Sequence, residues 1–191
     1  MRIAVIGTGN VGRTLGGRWR SAGHEVVYGS RGASDQGPDG AAVMEVGDAL
    51  AEAEVVVLAV PGSAVAEVAG AHGPALQYKV VIDAANRVGE DELNSRAAIV
   101  AAAPRAVYAR AFNSLGWENY AEPPPGAALF YAADPAARPA VEELITAVGL
   151  EPVFLGDADA RGTVDALLPL WFALVTQRGG NRKLALRLVT G

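Results

Sequence analysis

Cysteine is absent from the 191 residues, which excludes disulfides, thiol nucleophiles and cysteine-held iron–sulfur clusters together. Any redox chemistry here has to be borrowed from a cofactor. Histidine is scarce: His24 in "AGHEV" and His72 in "GAHGP" stand apart from any ligand or catalytic partner, and both read as turn residues. Lys79 opens an apolar strand and Lys183 lies in the tail, neither where a catalytic lysine is expected. No Ser-His-Asp set and no metal cluster is legible. The formal charge of -5 carries no long run of one sign, which points away from nucleic acid and anionic membranes and towards a small soluble partner. Long apolar runs are missing too. "MRIAVIGTGN" interrupts its short apolar run with glycines, falling short of a signal-peptide core or a membrane span, so a cytoplasmic location is expected.

What is present is an alternation. Short runs rich in Val and Ile recur between Ala- and Leu-rich segments of helical character, the pattern of parallel strands buried on both faces beside their crossover helices. Strands are expected at Ile3 to Ile6, Glu25 to Tyr28, Val55 to Val60, Val80 to Asp83, Ala106 to Arg110, Ala128 to Tyr131 and Pro152 to Leu155. Helices are expected at Val11 to Ala22, Asp48 to Ala53, Ser63 to Gly70, Glu92 to Ala102, Ala136 to Val148 and Asp159 to Gln177. Two stretches break the rhythm. "RGASDQGPDG", Arg31 to Gly40, is dense in turn formers and reads as an exposed loop. "NSLGWENYAEPPPGA", Asn113 to Ala127, follows a strand and ends in three prolines; long loops with rigid content of this kind are often functional.

Straight after the first strand come Gly7, Gly9 and Gly12, opening the first helix. Gly7 permits the tight turn, Gly9 lets the backbone approach a pyrophosphate, and Gly12 lets helix and strand pack closely, with the helix N-terminus offering amide hydrogens to the anion. Strand, glycines, helix and returning strand occur in the order this motif requires. The fold class is therefore α/β: a Rossmann-like, doubly wound, mostly parallel sheet. Residues 1–157 form the nucleotide-binding domain, and residues 158–191 form a short C-terminal helical extension that packs on it or on a dimer partner.

The second strand ends "VVYGSR". Units selective for NAD carry a carboxylate near this point, which accepts hydrogen bonds from the adenosine ribose and repels a 2′-phosphate. Here Ser30 offers a hydroxyl and Arg31 a planar cationic fork, the chemistry that holds a phosphate dianion. NADP is the cofactor so implied; the bland alternative is a solvated arginine on a turn.

Ligands of such sheets lie over the C-terminal strand edges. "VVLAVP" puts Val60 and Pro61 there, "VVIDAAN" puts Asp83 and Asn86, and "YARAFNS" puts Phe112 and Asn113 at the nicotinamide end. An asparagine can both donate to and accept from a carboxamide, and a phenylalanine can pack on a ring. Each has a plain structural alternative: Asp83 as a turn cap, Asn86 as an Asx-turn residue, Phe112 as core. A dehydrogenase acting on an alcohol needs a general acid or base for the hydroxyl proton, and none is legible. Hydride exchange with another redox ring has no such need.

"MRIAVIGTGNVG", "GHEVVYGSR", "VVVLAVP", "VVIDAAN" and "ARAFNSLGWENY" together resemble the F420-dependent NADP oxidoreductases, a family that also includes the soluble reductase domain of the STEAP metalloreductases. The resemblance runs to about Leu155 and is least in the tail. It implies NADPH in the cleft, a flavin or deazaflavin (F420-like) co-substrate stacked on the nicotinamide, direct hydride transfer between the rings, and commonly a homodimer; with no acid–base set legible, catalysis by alignment alone, with no catalytic residue, is expected. Carried over residue by residue, Thr8, Gly9, Asn10 and Val11 would cradle the pyrophosphate and Ser30 and Arg31 the 2′-phosphate. Val60 and Pro61 would flank the cofactor, with Asn86 and Asn113 near the nicotinamide. The segment after Arg31 departs from the family in lacking a full helix. For the acceptor pocket, Trp117, Leu168, Trp171 and Phe172 are candidates by hydrophobicity alone. Two other readings stand beside this one: an imine or β-hydroxyacid reductase, whose kind adds a large helical domain, and a non-catalytic NADPH sensor.

Overall fold

The computed structural model describes residues 1–32 and 37–189. β1 (Arg2–Ile6), β2 (Glu25–Ser30), β3 (Val43–Glu45), β4 (Val55–Leu58), β5 (Val80–Asp83), β6 (Val107–Arg110), β7 (Ala128–Ala133) and β8 (Glu151–Phe154) form one sheet in the order β3-β2-β1-β4-β5-β6-β7-β8. All pair in parallel except β6 with β7. The direction reverses because the Asn113–Ala127 segment, which holds the short helix α5 (Glu118–Ala121), returns the chain on the same side of the sheet.

The remaining helices are α1 (Asn10–Ser21), α2 (Val46–Glu52), α3 (Gly62–Leu76), α4 (Arg96–Ala102), α6 (Arg138–Val148), α7 (Arg161–Asp165) and α8 (Leu167–Gln177). Period-two alternation along β1 sends Ile3 and Val5 to the core shared with Leu15 and Trp19 of α1 and Val141 and Leu144 of α6. It sends Ala4 and Ile6 to the core shared with Leu50, Val65 and Ile99. β1 and β4 are neighbours whose helices leave to opposite faces, so a crevice opens above their C-terminal ends.

Four expectations need correction. An eighth strand, β3, follows a single 3₁₀ turn (Pro38–Gly40) in the region read as loop; three residues are too few for a visible alternation. Residues 33–36 of that loop lie outside the described residues. The strand expected to reach Val60 stops at Leu58, and the helix expected from Glu92 starts at Arg96. The long C-terminal helix is two: Pro169 lacks an N–H, and its ring excludes a helical carbonyl at residue 165, so α8 cannot continue from α7. The extension packs on the same domain, with the Ala128 N–H donating to Leu186 O at 2.8 Å and Asn119 Nδ2 to Arg182 O at 2.8 Å. No helix among the described residues is long and apolar enough to cross a membrane.

Candidate functional site

The turn from β1 into α1 is built by backbone approach. Gly7 has φ +112°, and its N–H donates to Gly29 O at 3.0 Å, tying the turn to the end of β2. A Cβ on Gly7 would lie 2.5 Å from Ala59 O, and one on Gly12 2.2 Å from Gly7 O. Gly9 is the reverse case: a Cβ there would meet nothing within 4 Å. It is the N-cap of α1, no side chain caps the helix, and its first turn holds no acidic residue. The first amides of a 12-residue helix therefore face open space with the positive end of its dipole behind them. Thr8 is half-buried and Asn10 exposed at this rim, while Val11 packs on the core. The cradle fits a pyrophosphate.

At the end of β2 a Cβ on Gly29 would lie 2.6 Å from Ile6 Cδ1, so any side chain here, a carboxylate included, would have to displace that buried methyl group. Ser30 is half-buried and Arg31 exposed, and among the described residues no carboxylate pairs with Arg31. Glu45, the register partner of Ser30, sets one acid at the same edge.

The centre of the strand-end region is a residue the sequence reading passed over. Arg110, the last residue of β6, is fully buried. Its Nε donates to Asp165 Oδ1 at 2.7 Å, its Nη2 to Asn86 Oδ1 at 2.7 Å, and its Nη1 to the carbonyls of Asp83 (3.0 Å) and Ala85. Nη1 also stands 3.3 Å from Asp83 Oδ1. Asp83 in turn accepts from Ser95 N at 2.6 Å, the Tyr108 hydroxyl at 3.1 Å and Ala85 N at 3.3 Å. Complete burial pushes the Asp83 carboxyl up from its ordinary value, against the pull of Arg110 and these donors. Burial, with the Asp83 charge beside it, raises the Tyr108 hydroxyl further.

The two asparagines meet on this network. Asn86 Nδ2 donates to Asn113 O at 2.8 Å, and Asn113 Nδ2 lies 3.5 Å from Asp165 Oδ1. Because a carboxylate only accepts, the Asn113 amide nitrogen belongs on the Asp165 side. Its Oδ1 is then left buried without a partner. Asp83 is a buried member of the network. Phe112 does not line the crevice: it is 1% exposed, has φ +61°, and packs edge-on to Trp19 and Tyr120 at 5.5 and 5.9 Å. Its core alternative is the one realised. Val60 is half-buried and Pro61 exposed above β4.

Of the acceptor candidates, Leu168 and Trp171 are buried, with Trp171 Nε1 donating to Leu184 O at 2.8 Å, while Trp117 is half-buried and Phe172 exposed. The structure does not gather them into one pocket. Asp165 and Asn94, whose Nδ2 donates to Asp165 Oδ2 at 2.8 Å, went unread as well. The available signal was a lone arginine in the apolar strand "VYARAF", since a charge in a doubly covered strand demands buried partners.

Residues 2–87 match the family described as NADP oxidoreductase, coenzyme F420-dependent. The whole chain superposes on the whole of a candidate F420-dependent NADP-reductase from Arthrobacter sp. FB24, with 27% identity and a TM-score of 0.84. It covers 88% of a hypothetical protein from Sinorhizobium meliloti with 85% of its own length, at 27% identity and a TM-score of 0.69. An imine reductase from Aspergillus terreus, solved with NADPH4, aligns with 94% of this chain but 63% of its own, at 20% identity and a TM-score of 0.73, a likeness of fold. No curated protein sequence matches this one. The likeness to the coenzyme F420-dependent NADP oxidoreductases therefore lies in residues 2–87, the part of the chain that builds the crevice.

Proposed function

We propose that this protein transfers hydride between NADP(H) and a flavin or F420-like deazaflavin. One observation carries the reading: Arg110, Asp83, Asp165 and Asn86 are committed to one another and to backbone. Among the described residues, the floor of the crevice presents no free acid or base. Reduction of a carbonyl or imine draws a proton from a positioned acid. Transfer between two rings asks for alignment and dryness, which a rigid polar floor supplies.

When bound, NADPH supplies the hydride from its nicotinamide ring. The chain's own part is to hold and aim. The free amides of α1 at Gly9, Asn10 and Val11, with Thr8 at the rim, take the pyrophosphate. Ser30 and Arg31 take the 2′-phosphate, Val60 and Pro61 wall the ribose, and Asn113 orients the carboxamide, with Asn86 beside it holding the Asn113 carbonyl. The unpartnered Asn113 Oδ1 supports this last role, as an acceptor awaiting an amide hydrogen. The same reading pairs two copies through α8, where Leu170 and Phe172 are exposed, and places the protein in the cytoplasm.

The test is NADPH oxidation by the purified chain offered F420, FMN, FAD and riboflavin in parallel, with NADH as the control. Turnover with at least one ring acceptor and a preference for NADPH is expected. Tight NADPH binding without oxidation by any of the four overturns the reading in favour of a sensor; oxidation by a cyclic imine alone overturns it in favour of an imine reductase.

A further inference from the structure

Beside the crevice, between the first turns of α3 and α4, lies a second cleft of about 630 Å³. Pro61, Gly62 and Ser63 at the start of α3, Arg87 and Val88 from the segment after β5, and Ser95 at the start of α4 all line it. Asn86 and Pro61 line it too, so it adjoins the nicotinamide end of the crevice.

Three independent features suit this cleft to an anion. The first is α3 itself, helical from Gly62 to a kink at His72, with no side-chain cap and no acid in its first turn. The first bond of that turn runs from Ala64 N to Pro61 O at 2.8 Å, which leaves the Gly62 and Ser63 N–H groups without a partner among the described residues. The second is Ser95. It is 4% exposed, its N–H donates to Asp83 and its carbonyl accepts from Ile99, yet its hydroxyl has no partner. A buried hydroxyl without a hydrogen bond is uncommon unless a bound group completes it. The third is Arg87, whose one ion pair among the described residues is with Glu90 at 3.6 Å, Arg87 being half-buried and Glu90 exposed. A loose surface pair of this kind yields to a phosphate, which a guanidinium binds through two parallel hydrogen bonds. Glu90 also lines the cleft and would turn outward when an anion enters.

We infer that this cleft is a phosphate subsite for the hydride acceptor, formed by the Gly62 and Ser63 amides, the Ser63 and Ser95 hydroxyls and the Arg87 guanidinium. It rests on the ring-to-ring reading above and makes that reading specific: the acceptor carries a phosphate on the tail of its ring.

FMN and riboflavin share one ring and differ in the phosphate, so their binding to the full chain in the presence of NADP⁺, followed by quenching of flavin fluorescence, isolates the subsite. FMN is expected to bind at least about tenfold more tightly, the worth of one charge-assisted contact. F420, whose phosphate is a diester, runs beside it to separate the two sources of phosphate. Inorganic phosphate is expected to compete with FMN and not with riboflavin. The preference for FMN collapses in Arg87→Ala and in Ser63→Asp. The second variant sets an acid in the first turn of α3, which favours the helix dipole, so a retained or raised melting temperature shows that repulsion and not unfolding removed it. Equal binding of all three acceptors, or a preference that survives both variants, overturns the subsite and leaves the ring-to-ring reading standing. Failure of every ring acceptor to bind overturns both.

Discussion

Arg110 Nε lies 2.7 Å from Asp165 Oδ1, joining the last residue of β6 to the last residue of α7 out of contact with solvent. The same guanidinium holds Asn86 and the Asp83 and Ala85 carbonyls, so one side chain locks the C-terminal extension onto the strand ends beneath the crevice. A buried cation is tolerated only when its partners are all in place. Asp165→Ala is expected to cost about 3–5 kcal/mol, the penalty for breaking a buried pair. Asp165→Asn, which keeps an acceptor oxygen, costs less. Urea unfolding measures both, and hydrogen exchange should show α7 and α8 opening first.

The glycine turn separates folding from binding. Gly12→Ala puts a Cβ against the Gly7 carbonyl and is expected to destabilise the protein outright. Gly9→Ala meets nothing in the structure, so its melting temperature should match the parent, while the methyl group stands where a pyrophosphate must approach. Loss of NADPH binding in Gly9→Ala with unchanged stability is the expected pair of results, read by calorimetric titration and thermal melting.

Arg31→Ala tests the 2′-phosphate contact. NADPH affinity is expected to fall about tenfold or more, the worth of a charge-assisted hydrogen bond. Because no carboxylate among the described residues pairs with Arg31, little structural loss should accompany it. NADH affinity should barely move. Equal loss for both nucleotides would mean that Arg31 does not read the phosphate.

Alkaline pH is the direction in which buried phenols act. Tyr108, Tyr120 and Tyr131 all hold their protons above the ordinary tyrosine value, burial being the largest cause in each. Their contribution to stability is whole below the unfolded-state value of about 10 and is lost as pH rises towards the raised folded values. Ultraviolet titration should show these three ionising together with unfolding. Their ionisation in a chain that still gives its native circular dichroism would contradict this.

The cofactor crevice was legible in advance because its determinants are local. Gly7, Gly9 and Gly12 act through backbone geometry within one turn, and "GSR" follows directly on the apolar run of β2. Seven strands could be read because each is a continuous apolar run. β3 could not, since three residues are shorter than the period that would reveal them, and the break at Ala166, ahead of Pro169, was hidden beside a uniformly apolar segment.

What the sequence by itself determined is the βαβ order, the glycine turn that leaves the first amides of α1 uncapped, and the place of Ser30 and Arg31 at the end of β2, since each depends on neighbours a few positions apart. What only the tertiary structure decided is which polar residues share one buried network and which line the crevice. Arg110, Asp165, Asn94 and Asp83 are scattered from position 83 to position 165, and Phe112 turns inward while Asn113 joins the network. Nothing in their local spacing announces these pairings. They follow from the sheet, which sets β5 and β6 side by side, and from burial, which obliges every charge enclosed there to find a partner.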